Sequence, residues 1–184
     1  FVQVLYGTDD AFEFFGGTVN AKHLIALAQD DDAFDFDFGY TGNIQYAISV
    51  LSPNKASYSS DPNGIESDNN ATGAAANPRT NATISNMTVI GLEDSTTASD
   101  NLPAPGSKRI LNGARFRRAS SYTVRNSIFM GYMVGVRFES SATQADVARF
   151  QYNIVHGFRQ TDRDASINAT NLEILGEVDF SNAT

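Results

Sequence analysis

The sequence contains no cysteine and no tryptophan in 184 residues. The lack of cysteine excludes a disulfide scaffold and any zinc or iron–sulfur site with cysteine ligands. No apolar run approaches the roughly 18 residues that a membrane-spanning helix needs. The length suits a single domain, and the apolar content is sufficient for a real core. We therefore expect residues 1–184 to form one domain without a transmembrane segment.

Positive charge is scarce in the first part of the chain. Residues 1–70 contain eleven acidic residues against only Lys22 and Lys55, whereas residues 71–184 contain ten acidic and eleven basic residues. The formal net charge is -8. General binding to a phosphate backbone needs clustered lysine and arginine, so the composition argues against nucleic acid as a partner.

A short motif recurs along the chain. DDAFEFFG at residues 9–16 is followed 22 residues later by DDAFDFDF at residues 31–38. Weaker copies stand at residues 63–68, 112–117 and 135–139. The alternation of phenylalanine with carboxylates is typical of a strand, because successive side chains of a strand point to opposite faces. The motif thus predicts five copies of one short strand.

A second series of apolar segments interleaves with the first. Residues 83–91 match residues 123–131 at an offset of 40, and residues 153–157 and 172–176 are further copies. Upstream, residues 22–27 and 44–49 fill the same place, 22 residues apart. Each unit therefore holds at least two short strands, and no segment shows a useful helical period.

A period near 22 residues suits either leucine-rich repeats or a parallel β-helix. The leucine frame of the former is absent, whereas two strands per unit and unequal loops suit the latter. We predict an all-β fold, a right-handed parallel β-helix of about five coils, whose handedness follows the general rule for parallel crossovers. Two long loop insertions are expected at about 52–82 and 92–110.

Stacking of the coils would align like positions in columns, about 4.8 Å apart. The predicted inward columns read Phe12, Phe34, Ile65, Ala114, Val136 and, beside it, Phe14, Phe36, Ser67, Phe116, Phe138. One outward column reads Glu13, Asp35, Glu66, Arg115, Arg137, and the column beside it reads Phe15, Asp37, Asp68, Arg117, Glu139. Stacked carboxylates repel, so they must be solvated, partly protonated or bridged by a cation. We expect exposed ion pairs of Arg115 with Glu66 and of Arg117 with Asp68, each worth about 0–1 kcal/mol.

Glu13, Asp35 and Asp37 have no basic partner in this alignment. A hard cation such as calcium takes six to eight oxygen ligands, and the nearby aspartate-rich turns contain more carboxylates. The sequence thus favours an acidic and solvated face, with a calcium site at these three residues as the alternative. No other cofactor is expected.

Motifs for nucleophilic, zinc-hydrolytic or nucleotide-driven chemistry are missing. The two histidines, His23 and His156, lie inside apolar strands, where we expect satisfied core or edge side chains without a catalytic role. Paired carboxylates remain. A polysaccharide lyase or glycoside hydrolase could use a set of charged residues on the outer face: Asp35, Asp37, Asp68, Arg115, Arg117.

The leading hypothesis is nevertheless non-enzymatic. A rigid β-helix could present its loops and acidic face to a glycan, a cation or a partner protein. In an enzyme, the five charged residues should converge in one groove, whereas a spread across a flat face would exclude catalysis. The open edge of a terminal coil would be covered by further coils or by another chain.

The segments 9–23 (DDAFEFFGGTVNAKH), 31–42 (DDAFDFDFGYTG) and 63–71 (NGIESDNNA) resemble a family of uncharacterised exported proteins, often lipoproteins, of Bacteroidota and related Gram-negative bacteria. The resemblance covers roughly residues 2–160. It implies a β-helical protein of the cell surface, outer membrane or periplasm, and it transfers no catalytic residue. The start at Phe1 rather than methionine predicts a fragment of a longer exported chain.

Overall fold

The computed structural model describes residues 1–55, 58–59, 61–74, 76–92 and 111–165, without the side chains of residues 158–160. The predicted strand copy at 172–176 lies outside the described residues, as does the predicted insertion at 92–110 beyond residue 92. Helix in the described ranges is limited to one turn, α1 (Ser141–Gln144), and a 3-10 turn at Val147–Arg149. None of these helices is long and apolar enough to cross a membrane.

Twelve short strands make up the rest of the regular structure. They are β1 (Val2–Leu5), β2 (Phe12–Phe15), β3 (Ala21–Leu27), β4 (Phe34–Asp37), β5 (Asn43–Val50), β6 (Ile65–Ser67), β7 (Asn81–Ile90), β8 (Asn112–Phe116), β9 (Ser121–Arg125), β10 (Ile128–Phe138), β11 (Phe150–Gln151) and β12 (Ile154–Arg163). Strand β6 lies within the predicted insertion at 52–82 and divides it into two loops.

Every strand pairing is parallel, and strands one unit apart in sequence lie side by side. Strands β2, β4, β6, β8 and the end of β10 stack as one wall of the molecule. The first halves of β3, β5 and β7 stack with β9 and β11 as a second wall, and their second halves stack with β1 and the start of β10 as a third. The chain is therefore an all-β parallel β-helix, as predicted.

Two inward columns fill the core. Phe12, Phe34, Ile65, Ala114 and Val136 are in register, as are Phe14, Phe36, Ser67, Phe116 and Phe138. The rings of Phe12 and Phe34 stack with centroids 5.3 Å apart, and those of Phe116 and Phe138 with centroids 5.7 Å apart. Both columns were predicted from the repeat, and they show that the Phe-rich faces point inward.

The backbones of successive middle coils approach so closely at one position of the repeat that a side chain would not fit there. A Cβ atom on Gly113 would lie 2.6 Å from the carbonyl oxygen of Gly135, and one on Gly64 would lie 2.4 Å from that of Gly113. These glycines precede Ala114, Val136 and Ile65, so the backbones of successive coils meet closely where the inward strand begins.

One predicted register is wrong by one residue. Residues 22–27 were aligned with 44–49, but Leu24 pairs with Ala47, an offset of 23 residues. Phe15 is in register with Asp37 and Ala21 with Ile44, so the stretch 38–43 holds one residue more than the equivalent stretch 16–20. As a result Lys22 lies beside Gln45 on the outside of the wall rather than beside Ile44, which is buried.

His23 lies at an edge rather than in the core. Its side chain is exposed and stacks on Tyr46, and its left-handed backbone (φ 58°) turns the chain between the second and third walls.

Candidate functional site

The outer side of the wall formed by β2, β4, β6, β8 and the end of β10 is called the charged face here. Its central column is in the predicted register: Glu13 beside Asp35, Asp35 beside Glu66, Glu66 beside Arg115, and Arg115 beside Arg137. The strand alternation that buries the phenylalanines places these side chains on the opposite side. Acidic coils therefore meet basic coils between β6 and β8.

The column is less solvated than predicted. Glu13 is exposed, but Asp35 is only partly accessible and Glu66 is 8% exposed. The turns that precede the strands lie against them, and Asp61 from the loop before β6 reaches the same arginine as Glu66. The face is therefore a partly enclosed cluster of charges.

Enclosure changes the acidity of the carboxyl groups. The pKa of Asp35 is raised to about 8; the largest cause is burial, which removes solvent, and the next largest is the charge of Asp10. Burial likewise raises the pKa of Glu66 to about 7, even though the neighbouring Arg117 lowers it. Burial is also the main cause that raises the pKa of Asp10 to about 7. The acidic coils thus carry carboxyl groups that hold protons near neutral pH unless a cation replaces them.

A ladder of turn residues, which the sequence analysis missed, supports this cluster. The amide nitrogen of Asp32 donates to Oδ1 of Asp10 (2.8 Å), and the amide nitrogen of Asn63 donates to Oδ1 of Asp32 (2.7 Å). Asn112 continues the ladder by donating from Nδ2 to Oδ1 of Asn63 (2.7 Å). Each of the four ladder residues stands two positions before an inward-facing residue of the repeat. The aligned repeat motif therefore already contained the signal for this ladder. The ladder holds Asp10 at the edge of the charged face.

Three carboxylates converge at this edge. Ligand oxygens of Asp10, Glu13 and Asp35 all lie within 4.8 Å of one another, and a second group of Asp9, Asp10 and Asp31 shares Asp10. Oδ1 of Asp35 is buried without a hydrogen-bond partner. Within the described part of the chain, no lysine or arginine forms an ion pair with Asp10, Glu13 or Asp35. This group is the best candidate for a cation site.

The third predicted calcium ligand is placed differently. Asp37 pairs with Phe15 in the neighbouring column, and its Oδ1 accepts a hydrogen bond of 2.6 Å from the amide nitrogen of Phe38. It belongs to neither of the three-carboxylate groups found among the described residues. The third carboxylate beside Glu13 and Asp35 is therefore that of Asp10, not that of Asp37 as the sequence suggested.

The predicted ion pairs are present and their side chains are largely buried. Nε of Arg117 lies 2.8 Å from Oδ1 of Asp68, and the same guanidinium pairs with Glu66. Nη1 of Arg115 lies 3.5 Å from Oε1 of Glu66 and also pairs with Asp61. The side chains of Arg117 and Asp68 are only 17% and 6% exposed, so these pairs are not the weak surface contacts that we expected.

Glu139 continues the register after Phe138 and lies beside Arg117 in the predicted column, since its amide nitrogen donates to the carbonyl oxygen of Phe116. Its carboxylate forms ion pairs with Arg115 (2.7 Å) and with Arg137.

The predicted catalytic set is brought together. Asp68, Arg115 and Arg117 belong to one ion-pair network through Glu66. Asp35 and Asp37 lie close enough that the charge of Asp68 raises the pKa of each, although burial is the larger cause. The five residues thus form a single charged cluster and are not dispersed over a flat surface.

The coils, inward columns and outward charge ladder define the molecule as a β-helix solenoid domain. The family model of the pectate-lyase-like beta helix domain matches residues 1–183, and the chain belongs to that family. No curated protein and no solved structure matches the chain.

Proposed function

We propose that this β-helix is a non-enzymatic module that binds a divalent cation on its charged face and, with the help of that cation, a glycan. The observation that carries the proposal is the convergence of the Asp10, Glu13 and Asp35 carboxylates within 4.8 Å, without an ion pair to any described lysine or arginine. A cation would offset the burial, and the smaller mutual repulsion, that otherwise favour the protonated form of these groups.

Calcium suits this donor set better than other metals. The ligands are carboxylate oxygens, which hard cations prefer, and the group contains neither histidine nor cysteine. Calcium tolerates irregular geometry and takes six to eight oxygens, so three carboxylates leave positions for water or for sugar hydroxyls. The buried and unpartnered Oδ1 of Asp35 is the atom that would gain most from a cation.

An exposed aromatic pair adjoins the cluster and supports a sugar ligand. The rings of Phe15 and Phe38 stack with centroids 5.1 Å apart, and the side chains are 62% and 51% exposed. Phe15 is in register with Asp37. Apolar rings beside charged groups match a sugar, which has apolar C–H faces and hydroxyl edges.

The cation proposal is tested by isothermal titration calorimetry of EDTA-stripped protein with calcium at pH 8. We expect saturable binding in the native protein and at least tenfold weaker binding in Asp35→Asn and Glu13→Gln. Asp164→Asn is the matched control, because it removes a carboxylate on the same face that pairs with Arg137. Absence of calcium binding, or binding that neither substitution weakens, would refute the proposal.

The glycan part has a separate readout. A uronic-acid hexamer is titrated into the calcium-loaded protein and into the protein in EDTA, and Phe15→Ala is compared with the native chain. We expect tighter binding with calcium than in EDTA, and loss of that difference in the variant. Equal binding in EDTA would contradict a role for the cation in glycan recognition.

A second candidate is glycoside hydrolysis, and one observation favours it. Hydrolysis needs a protonated carboxyl group near an ionised one, with separated pKa values. Burial raises the pKa of Asp35 to about 8, whereas Asp68 is ion-paired with Arg117 and Arg118 at 2.8 Å each. Asp35 would then be the acid and Asp68 the base or nucleophile. Hydrolysis of a polysaccharide that Asp35→Asn and Asp68→Asn each abolish would support this candidate over the first.

A lyase is less well supported, because it needs a basic side chain to abstract a proton. Burial, the largest single cause, lowers the pKa of Arg115, but the Asp61 and Glu139 carboxylates together outweigh it, so the pKa is raised. The charge of Glu66 and the hydrogen bond to Asp68 do the same for Arg117. Both guanidinium groups therefore stay protonated and are held in ion pairs with carboxylates.

We also propose that the protein works in the envelope of a Gram-negative bacterium, at the cell surface, outer membrane or periplasm. The support is the resemblance of residues 9–23, 31–42 and 63–71 to exported, often lipid-anchored proteins of Bacteroidota. Fractionation of cells that express the native gene tests this, and recovery in the cytoplasm would contradict it.

A further inference from the structure

The corner between the second and third walls is built from five residues with a left-handed backbone. They are His23 (φ 58°), Tyr46 (56°), Asn86 (55°), Asn126 (52°) and Tyr152 (56°). Each coil contributes one of them, and in each case the side chain points outward and is exposed. A left-handed residue costs energy for any side chain other than glycine, although asparagine tolerates it. The fold thus presents one exposed side chain per coil along this edge.

In the first two coils the corner residues are aromatic and stacked. The rings of His23 and Tyr46 have centroids 5.4 Å apart and an interplanar angle of 12°. Tyr46 is 51% exposed. The stack fixes the orientation of both rings, and each ring uses only one of its two faces in the stack. Large exposed rings that are ordered before binding lose little entropy when a ligand arrives.

The outer side of the second wall, beside this corner, differs from the charged face in its chemistry. One column reads Lys22, Gln45, Ser85, Arg125, and the next reads Asn43, Thr83, Thr123. In these described columns no carboxylate occurs, although the first 70 residues of the chain are strongly acidic. Lys22 and Arg125 are exposed and take part in none of the ion pairs of the described residues.

Two shallow clefts flank the aromatic pair. One, of about 400 Å³, is lined by His23, Tyr46, Ile25, Ile48 and Asn86. The other, of about 300 Å³, is lined by Asn20, Lys22, Asn43 and Gln45. The first cleft therefore offers apolar and aromatic surface with one amide, and the second offers amide groups and an ammonium group.

From these features we infer that the His23–Tyr46 corner is a second glycan-binding site, independent of any cation, on a different wall from the charged face. The apolar face of a pyranose ring would lie against the aromatic pair in the larger cleft. Its neighbour in the chain would place hydroxyls among the side chains of Lys22, Asn43 and Gln45 in the smaller cleft.

The donor set favours a sugar over other occupants of such a surface. A peptide strand would add at a free sheet edge, and among the described strands of this region residues 21–22 have one partner strand, β5. Residues 24–27 are paired on both sides, by β1 and β5, and residues 44–45 and 47–50 by β3 and β7, so the aromatic pair lies over paired strands. Nucleic acid would need clustered cations, whereas Lys22 and Arg125 are separated by the coils that contain Gln45 and Ser85. Amides, hydroxyls and an aromatic pair match the hydroxyls and C–H faces of a glycan.

The test uses two probes in EDTA, a β-1,4-linked glucose hexamer and a uronic-acid hexamer, with binding followed by calorimetry and by amide NMR shifts. We expect at least one hexamer to bind and to shift amides of residues 20–25 and 43–48. Tyr46→Ala and His23→Ala should each weaken binding about tenfold or more, because an aromatic contact and its buried area are lost. The responding hexamer tells a neutral glycan from an anionic one.

Phe15→Ala provides the matched control, since it removes an exposed ring of the other stacked pair. Binding in EDTA should be unchanged by it, and circular dichroism should confirm that all three variants are folded. The inference is wrong if neither hexamer binds, if neither corner variant weakens binding, or if Phe15→Ala abolishes it. Because calcium is absent, failure here is separate from failure of the cation site.

Discussion

Asp35 lies directly beside Glu66 in the adjacent coil, at the centre of the charged face. Burial is the largest cause that raises the pKa of both groups, to about 8 and about 7. Two neighbouring carboxyl groups in such surroundings resist ionising together near neutral pH. The stability of this face must therefore depend on protons and on cations.

The free energy of unfolding should fall as pH rises from about 4 to about 8 in EDTA. In the unfolded chain these carboxyl groups titrate near pH 4, whereas in the folded chain Asp35 and Glu66 keep their protons to about pH 8 and 7. The folded state thus binds more protons across this window, and stability decreases with pH. Urea unfolding at pH 4.5, 6 and 8 measures the slope.

Asp35→Asn should flatten that slope and raise stability at pH 8 by about 3 kcal/mol. Each pKa unit corresponds to about 1.4 kcal/mol, and partial access of solvent reduces the total for this group. At pH 4.5 the variant and the native chain should be nearly equal. A native chain that is more stable at pH 8 than at pH 4.5 in EDTA would contradict the raised pKa values.

Calcium should stabilise the protein at pH 8 and have little effect at pH 4.5. At the lower pH, protons occupy the Asp10 and Asp35 carboxyl groups, whose pKa values are about 7 and 8, and compete with the cation. At 100 times its dissociation constant, a ligand that binds only the folded state adds about 2.7 kcal/mol. Thermal melts with calcium and with EDTA measure the effect, and equal shifts at both pH values would argue against carboxylate ligands.

Arg117→Ala should destabilise the protein by about 3 kcal/mol, because it leaves Glu66 and Asp68 buried without their main partner. Adding Glu66→Gln should recover part of the loss, which a double-mutant cycle in urea measures. Arg118→Ala is the control, since its side chain is 41% exposed and its pair with Asp68 should contribute below about 1 kcal/mol. Similar losses in both arginine variants would show that burial does not distinguish these pairs.

Phe116→Ala should cost about 3–5 kcal/mol, because Phe116 is fully buried and stacks with Tyr122 and Phe138. Phe15→Ala should cost less than about 1 kcal/mol, since Phe15 is 62% exposed. Chemical denaturation of the two variants makes the comparison. A larger loss for Phe15 would mean that its stack with Phe38 supports the fold.

Asn63→Ala should cost about 1–3 kcal/mol by interrupting the turn ladder between Asp32 and Asn112. Asn70→Ala removes hydrogen bonds of an exposed turn and should cost less. Urea titration of both variants at pH 6 compares them. If the two variants lose equal stability, the ladder is not a special support of the charged face.

The repeat predicted the coils and both column patterns. Phe12 and Phe34 are separated by the same 22 residues as Glu13 and Asp35, so aligning one pair aligns the other. Parallel stacking then follows from strand alternation alone. The same argument was wrong by one residue for Lys22, because the length of a turn is not encoded by strand periodicity.

Burial of the charged face could not be predicted in this way. It depends on where the turn of Asp32 and the loop of Asp61 lie, which is a matter of tertiary packing. The aromatic corner was missed for a different reason. Asn86 and Asn126 are residues that commonly adopt a left-handed backbone, whereas His23 and Tyr46 give no such indication from their type.

The charged column also gives the solenoid a direction. From Glu13 through Asp35 and Glu66 the side chains are carboxyl groups, which become negative as the pH passes their raised pKa values, and from Arg115 through Arg137 to Arg163 they are positive. A β-helix is a rod, so this order produces an electric dipole along its long axis. A polyelectrolyte that drifts along the face meets attraction at one end and repulsion at the other, and it is therefore aligned before any specific contact forms.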